Sequence, residues 1–284
     1  MPGCQHTQVH AVQRFSARFA AAVILSVLPA LPLEAQGSIE IARQLYNMGR
    51  YEQAISAATR LRTTAASEAA GVLLGRSLLE RFRKTRDEAD LAAAGEALRA
   101  VRPAVLMPRD RTDYLVGLAE LLYLQELYGP AAELFRTAFD SGHDLVPAGF
   151  ERVFDWWATA LDRQAQSGIV SDRDAVYVSI RDRSIVELGR RPGSVAAAYW
   201  LASSCRYLRD WTKAYDAAVA GWVRAPLAEE RGLALRADLD QLVVEAIIPE
   251  WARSLESPGA DTEKVTASLR SAWEAVKRDW PNKQ

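Results

Sequence analysis

The chain predicts an all-α fold of antiparallel helix pairs packed side by side, and three observations carry that prediction. One seven-point pattern of small and apolar residues occurs three times: Leu115, Leu118, Ala119 and Leu122, then Ala131, Phe135 and Ala138; Ser38, Ile41, Ala42 and Leu45, then Ala54, Ala58 and Leu61; Ala198, Leu201, Ala202 and Cys205, then Ala214, Ala218 and Gly221. Strand signals are nearly absent, with no long alternation of β-branched and aromatic residues and no Asn-Gly or Asp-Gly hairpin. Ala, Leu, Arg and Glu dominate, all good helix formers, and turn residues stand where helix hairpins need them.

Each element follows from the spacing. In the first helix of a pair, offsets 0, 3, 4 and 7 place four residues on one stripe. The small residue within it lets the second helix come close, and that helix answers with apolar residues at its own offsets 0, 4 and 7. Tyr51, Tyr128 and Trp211, just before the second helices, are expected to wedge the turns. Gly49-Arg50, Gly129-Pro130 and Arg209-Asp210 are expected to separate paired helices, and Pro103, Pro108, Pro147, Pro192 and Pro226 to separate the pairs.

Two weaker copies fit between the clear ones. Leu74, Gly75 and Leu78 open one, which Ala94, Leu98 and Val101 close; its longer gap coincides with the charged stretch Arg81 to Asp90. Phe154, Trp157, Ala158 and Leu161 open the other, with its second helix near Ala175 to Leu188 and Ser171 with Asp174 as a candidate cap. Five units then start at 38, 71, 115, 154 and 198. After Pro226 the pattern lapses. One long helix is expected from about Glu229 to Glu256, bent at Pro249; Ser257-Pro258-Gly259 breaks it and Asp261 caps a last helix to about Trp280. That helix carries the apolar stripe Val265, Leu269, Trp273, Val276 and Trp280 and suits the end of a stack.

The threefold pattern resembles the tetratricopeptide repeat. The resemblance covers most of residues 38 to 226 and implies a right-handed superhelical stack, an α-solenoid, with capping helices over 227–284. In that family the first helices line a concave surface that binds proteins or peptides. Offsets 1, 5, 8 and 9 flank the packing stripe. They give Ile39, Arg43, Tyr46 and Asn47; Val72, Arg76, Leu79 and Glu80; Val116, Glu120, Tyr123 and Leu124; and Tyr199, Ser203, Arg206 and Tyr207. The partner-binding set is therefore Arg43, Tyr46, Asn47, Arg76, Glu120, Tyr123, Tyr199, Ser203, Arg206 and Tyr207. Tyr and Arg are enriched at interface hot spots, which favours a protein or peptide ligand. The Lys and Asn set of the family's clamp for a C-terminal carboxylate is not matched.

Residues 1–35 read as a cleavable bacterial export signal: Arg14 and Arg18, an apolar run from Phe19 to Leu33, and Leu33-Glu34-Ala35 before Gln36. The run contains Pro29 and Pro32 and falls short of the ~20 apolar residues a membrane span needs, so a periplasmic or secreted product without stable membrane insertion is expected. Residues 36–226 form the repeat domain. Removing Arg14, Arg18 and Glu34 takes the formal charge from −1 to −2, a poor balance for nucleic acid, whose binding needs many Lys and Arg contacts to phosphate. Cys205 is then the only cysteine and His143 the only histidine.

Catalytic chemistry is thinly represented. Ser141-Gly142-His143-Asp144 holds the residue types of a hydrolase triad, but residues this close in sequence rarely form one, because the base must reach a nucleophile held elsewhere. One Cys and one His do not make a zinc site, and no cofactor is expected. Glu151, Asp155 and Asp162 beside Trp156 and Trp157 leave a second reading open, an all-helical glycan-binding protein or a glycosidase or lyase working with two acids. The eight tryptophans all follow residue 155, and core filling accounts for most of them. A non-catalytic scaffold is the principal expectation; a structural subunit of an envelope assembly is a variant of it.

Overall fold

The structure is a computed structural model that describes residues 33–141, 147–167, 170–228, 231–255 and 262–281. Among the described residues it is helical throughout, without a strand. In chain order the helices are α1 (Leu33–Asn47), α2 (Tyr51–Leu61), α3 (Ser67–Thr85), α4 (Glu88–Arg99), α5 (Pro108–Leu124), α6 (Tyr128–Asp140), α7 (Pro147–Ser167), α8 (Val170–Arg190), α9 (Val195–Tyr207), α10 (Trp211–Arg224), α11 (Arg231–Leu242), α12 (Ile248–Ser254) and α13 (Thr262–Asp279). From α1 to α11 each helix packs on the next, and the odd-numbered ones also touch across the intervening helix: α1 on α3, α3 on α5, α7 on α9 and α9 on α11. Residues 1–32, which hold most of the expected export signal and of its apolar run from Phe19 to Leu33, lie outside the described residues; Leu33 and the expected cut after Ala35 fall in the first turn of α1.

The proline punctuation holds. Pro108 and Pro147 open α5 and α7, where a missing N–H costs nothing. Pro103 and Pro226 lie in short 3₁₀ turns, and Pro192 lies between α8 and α9. All nine second-helix positions of the three clear units are buried, from Ala54, Ala58 and Leu61 to Ala214, Ala218 and Gly221. In the first helices the deepest stripe residue is the small one, Ala42, Ala119 or Ala202, each with no exposed surface. Ile41 of the first stripe is 58% exposed, because no helix among the described residues packs on α1 from the N-terminal side.

Three hairpin turns are the same turn. Gly49 (φ 71°), Glu126 (φ 62°) and Arg209 (φ 59°) adopt the left-handed conformation. Their N–H groups donate to Tyr46 (2.9 Å), Tyr123 (3.0 Å) and Arg206 (2.9 Å), and the next N–H donates five residues back, Arg50 to Leu45, Leu127 to Leu122 and Asp210 to Cys205. This is the Schellman closure, repeated bond for bond at the same offset in each unit. The middle turn is thus Glu126-Leu127. Gly129-Pro130, expected to form it, occupy the first turn of α6, whose N–H groups have no intrahelical partner to lose. Rings wedge two of the turns, Tyr46 against Tyr51 (5.7 Å) and Tyr123 against Tyr128 (5.4 Å).

The stretched units find their extra length in helices. Arg81 to Thr85 extend α3; Arg86 (φ 59°) turns the chain, and Asp87 caps α4 by accepting from the Ala89 N–H at 3.0 Å. Arg81 Nε then donates to Asp90 Oδ2 at 2.8 Å and braces α3 on α4. Gly75 is where these helices meet: a β-carbon there would lie 2.6 Å from Leu98 Cγ. In the fourth unit α8 starts at Val170, so Ser171 stands inside the helix and is not its cap. The expected long helix appears as α11 and α12 joined by a π-turn, Val243–Ile247, that ends two residues before Pro249. Proline cannot donate to the carbonyl four residues back, and the wider turn absorbs that loss. In α13, Trp273 is fully buried, whereas Trp280 is 52% exposed and contributes its carbonyl to the Trp222 indole N–H at 3.1 Å. The 257–259 breaker and Asp261 lie outside the described residues.

Candidate functional site

Three neighbouring cavities lie mainly along the odd-numbered helices, which we call the groove. The first, about 380 Å³, is lined by Arg43, Tyr46 and Asn47 of α1, Leu73 and Arg76 of α3, Arg109, Thr112, Asp113 and Val116 of α5, and Gly149, Arg152 and Val153 of α7. The second, about 210 Å³, takes Arg83 of α3, Glu120, Tyr123 and Leu124 of α5, Phe135 of α6, and Asp155, Trp156 and Thr159 of α7. The third, about 750 Å³, is lined by Glu151, Arg152 and Asp155 of α7, Val195, Ala196 and Tyr199 of α9, and by Arg231, Asp238, Gln241, Leu242, Glu245 and Ala246 along α11 and the π-turn. Arg152 faces both the first and third cavities and Asp155 both the second and third, so α7 is the common wall.

The first cavity is held by a charge network. Arg43 pairs with Glu40 and Asp110, and Arg76 with Asp113. The Arg76 guanidinium lies 5.0 Å from the centre of the Tyr46 ring, and the Tyr46 hydroxyl is 3.5 Å from Glu80 Oε1. Burial pushes the Tyr46 hydroxyl well above its ordinary range. Glu120 is 4% exposed and sits 3.8 Å from Arg76 Nε and 3.9 Å from an Arg83 nitrogen, yet neither carboxylate oxygen receives a hydrogen bond. Burial raises its pKa to about 7 against the pull of Arg76. Arg83 and Arg152 both approach the Trp156 ring, at 5.1 and 5.2 Å from its centre.

The third cavity is different. Glu151 accepts from the Ala196 N–H at 3.0 Å and so caps α9, Asp155 accepts from the Trp200 indole at 2.9 Å, and Glu245 accepts from the Gln241 amide at 3.1 Å. All three donors are neutral. Desolvation raises the pKa of Asp155 and of Asp238.

Seven of the expected binding residues line the groove: Arg43, Tyr46, Asn47, Arg76, Glu120, Tyr123 and Tyr199. Three do not line these cavities. Ser203 is buried, 4% exposed. Arg206 is held by Glu250 of α12, Nε to Oε2 at 3.0 Å. Tyr207 stacks on Tyr177 with ring centres 4.2 Å apart. The partners Glu250 and Tyr177 come from α12 and α8, and the tandem spacing of α9 gives no notice of either. Ile39, Val72 and Leu79, from the same offsets, belong to the core. The wall of α7 was missed as groove, although offsets 1 and 5 of its unit, starting at 154, give Asp155 and Thr159, both of which line the second cavity.

The acids beside Trp156 and Trp157 are committed to holding helices. Besides Glu151 and Asp155, Asp162 accepts from the Tyr177 hydroxyl at 2.8 Å, and Trp157 is buried against Phe139 and Phe154. Cys205 is buried, as its place in the apolar stripe predicts. No cluster of three or more His, Cys, Asp or Glu suited to a metal occurs among the described residues. His143 and Asp144 of the triad motif lie outside them. No protein-family model matches the chain, and no curated protein is significantly similar to it.

Proposed function

We propose that the chain is a tetratricopeptide-like α-solenoid that binds a protein or peptide segment in its groove and carries out no catalysis. The observation that supports this best is the run of cavities along the odd-numbered helices, whose linings include Arg43, Tyr46, Asn47, Arg76, Glu120, Tyr123 and Tyr199 from the repeat offsets. The repeated Schellman turns favour the tandem-unit reading, since each returns the chain in the same direction after the same number of residues. Tyr and Arg offer large contact area and forked hydrogen bonding at modest ordering cost, which suits peptide more than small solutes. The engagement of Glu151, Asp155 and Asp162 in helix packing speaks against a two-acid glycoside mechanism.

The test is selection of binders from a random-peptide display library, followed by Tyr123→Ala and Tyr199→Ala. Both variants should keep the wild-type circular dichroism and weaken the selected peptides at least tenfold. Unchanged affinity would show that the groove is not the binding surface. On this reading the scaffold works outside the cytoplasm after loss of residues 1–35. N-terminal sequencing of protein from the periplasmic fraction should begin at Gln36, and a retained Met1 overturns the export assignment.

A further inference from the structure

The charges along the groove are compensated unevenly. In the first cavity every arginine has an acidic partner: Arg43 with Asp110, Arg76 with Asp113, Arg109 with Glu40 at 4.0 Å and Arg152 with Glu80 at 3.9 Å. In the third cavity, among the described residues, Glu151, Asp155 and Glu245 accept only from neutral donors. Asp238 makes no hydrogen bond or ion pair with the described residues. Arg231 and the already paired Arg152 are the only cations among the described residues lining that cavity. Next to it, across the shared Asp155, Glu120 is already faced by Arg76 and Arg83 at 3.8 and 3.9 Å, so the uncompensated acids are those of the third cavity.

From this we infer that the occupant of the α7–α9–α11 end of the groove is a basic peptide segment, carrying lysine or arginine side chains at intervals. The inference rests on the groove reading and names the chemistry of its ligand. The carboxylates do not converge: no three acids among the described residues are grouped tightly enough for a metal ion. Charge spread over a cavity of about 750 Å³ suits an extended occupant with several separated cations. Val195 and Tyr199 of α9 with Leu242 and Ala246 of α11 and the π-turn provide the apolar surface along which lysine and arginine stems lie while their heads reach acids. Side chains of an extended strand on one face recur about every 7 Å, so successive basic residues at alternate positions can meet different acids.

The experiment measures binding of three labelled decapeptides by fluorescence anisotropy, with alanine alternating with lysine, glutamine or glutamate. The lysine peptide should bind at least tenfold tighter than the glutamine peptide, the glutamate peptide more weakly still, and the preference should shrink as salt rises. Asp238→Lys/Glu245→Lys, two exposed positions, should weaken the lysine peptide at least tenfold with an unchanged melting temperature. Glu133→Lys on α6, outside the groove, should leave the affinity within twofold. Equal binding of lysine and glutamine peptides, or an unaffected double variant, overturns the inference. Spermine binding as tightly as the lysine peptide also overturns it, since the site would then recognise bare polycations. If neutral display-selected peptides still lose affinity in Tyr123→Ala, the groove reading survives that failure.

Discussion

Arg206 on α9 grips Glu250 on α12 through both arms of its guanidinium fork, Nε to Oε2 at 3.0 Å and a terminal nitrogen to Oε1 at 2.6 Å. Both side chains are about three-quarters buried. The pair fastens the C-terminal helices to the last clear repeat. Arg206→Ala leaves a largely buried carboxylate without its partner and should cost about 1–2 kcal/mol in urea unfolding. Peptide affinity should stay within twofold, which separates a fastening role from a ligand contact.

The shared turn makes opposite predictions at equivalent positions. A left-handed conformation costs a residue with a β-carbon about 1–2 kcal/mol relative to glycine, offset partly by the greater freedom of glycine in the unfolded chain. Arg209→Gly and Glu126→Gly, both exposed, should each stabilise the protein by roughly 0.5–1 kcal/mol. Gly49→Ala has open space around it and should destabilise by about 1 kcal/mol. Thermal melts of the three variants check this. A Gly49→Ala variant as stable as wild type would show that the left-handed turn is not required.

Gly75→Ala adds a methyl group 2.6 Å from the branching carbon of the fully buried Leu98. Alanine gains about 1 kcal/mol in helix propensity, and overpacking costs about 1–3 kcal/mol. A net loss of about 1 kcal/mol is expected. Gly75→Ala/Leu98→Ala should lose less than the two single changes summed, because the clash disappears with the leucine.

Glu120 links stability to pH. Its folded pKa of about 7 lies above the ordinary value near 4.3 of an unfolded chain. Between those values the unfolded state loses its proton first, so stability falls as pH rises and the full penalty is reached above pH 7. Glu120→Gln mimics the protonated form. Relative to wild type it should gain on the order of 2–3 kcal/mol between pH 5 and pH 8, read from urea midpoints. An unchanged pH profile would mean that Glu120 is ionised in the folded protein.

What the residues revealed divides along a physical line. The stripe positions Ala42, Ala119 and Ala202 and their answering alanines were legible because packing periodicity is local. The proline boundaries were legible because a missing N–H is a property of one residue. The Glu126-Leu127 turn was hidden because nothing in a glutamate advertises a positive φ, and the Gly-Pro pair three residues later looked like the better breaker. It could be recovered only by carrying the offset of Gly49 into the next unit. The loss of Arg206 and Tyr207 from the groove had no local signature: Glu250, distant in sequence, and Tyr177, on a neighbouring helix, engage them. The α7 wall was obscured because its unit is stretched and its acids drew attention as chemistry instead of as surface.

The π-turn at Val243–Ile247 amounts to one surplus residue threaded into an otherwise continuous rod. Each residue advances an α-helix by about 100°, so everything downstream is rotated by that angle relative to an unbroken rod. Glu250 meets Arg206, and Trp251 meets Tyr215 at 6.0 Å, only in this rotated phase. Deleting one residue from the turn would swing both away together and unlatch the end of the groove, whereas a point substitution there would leave the phase intact.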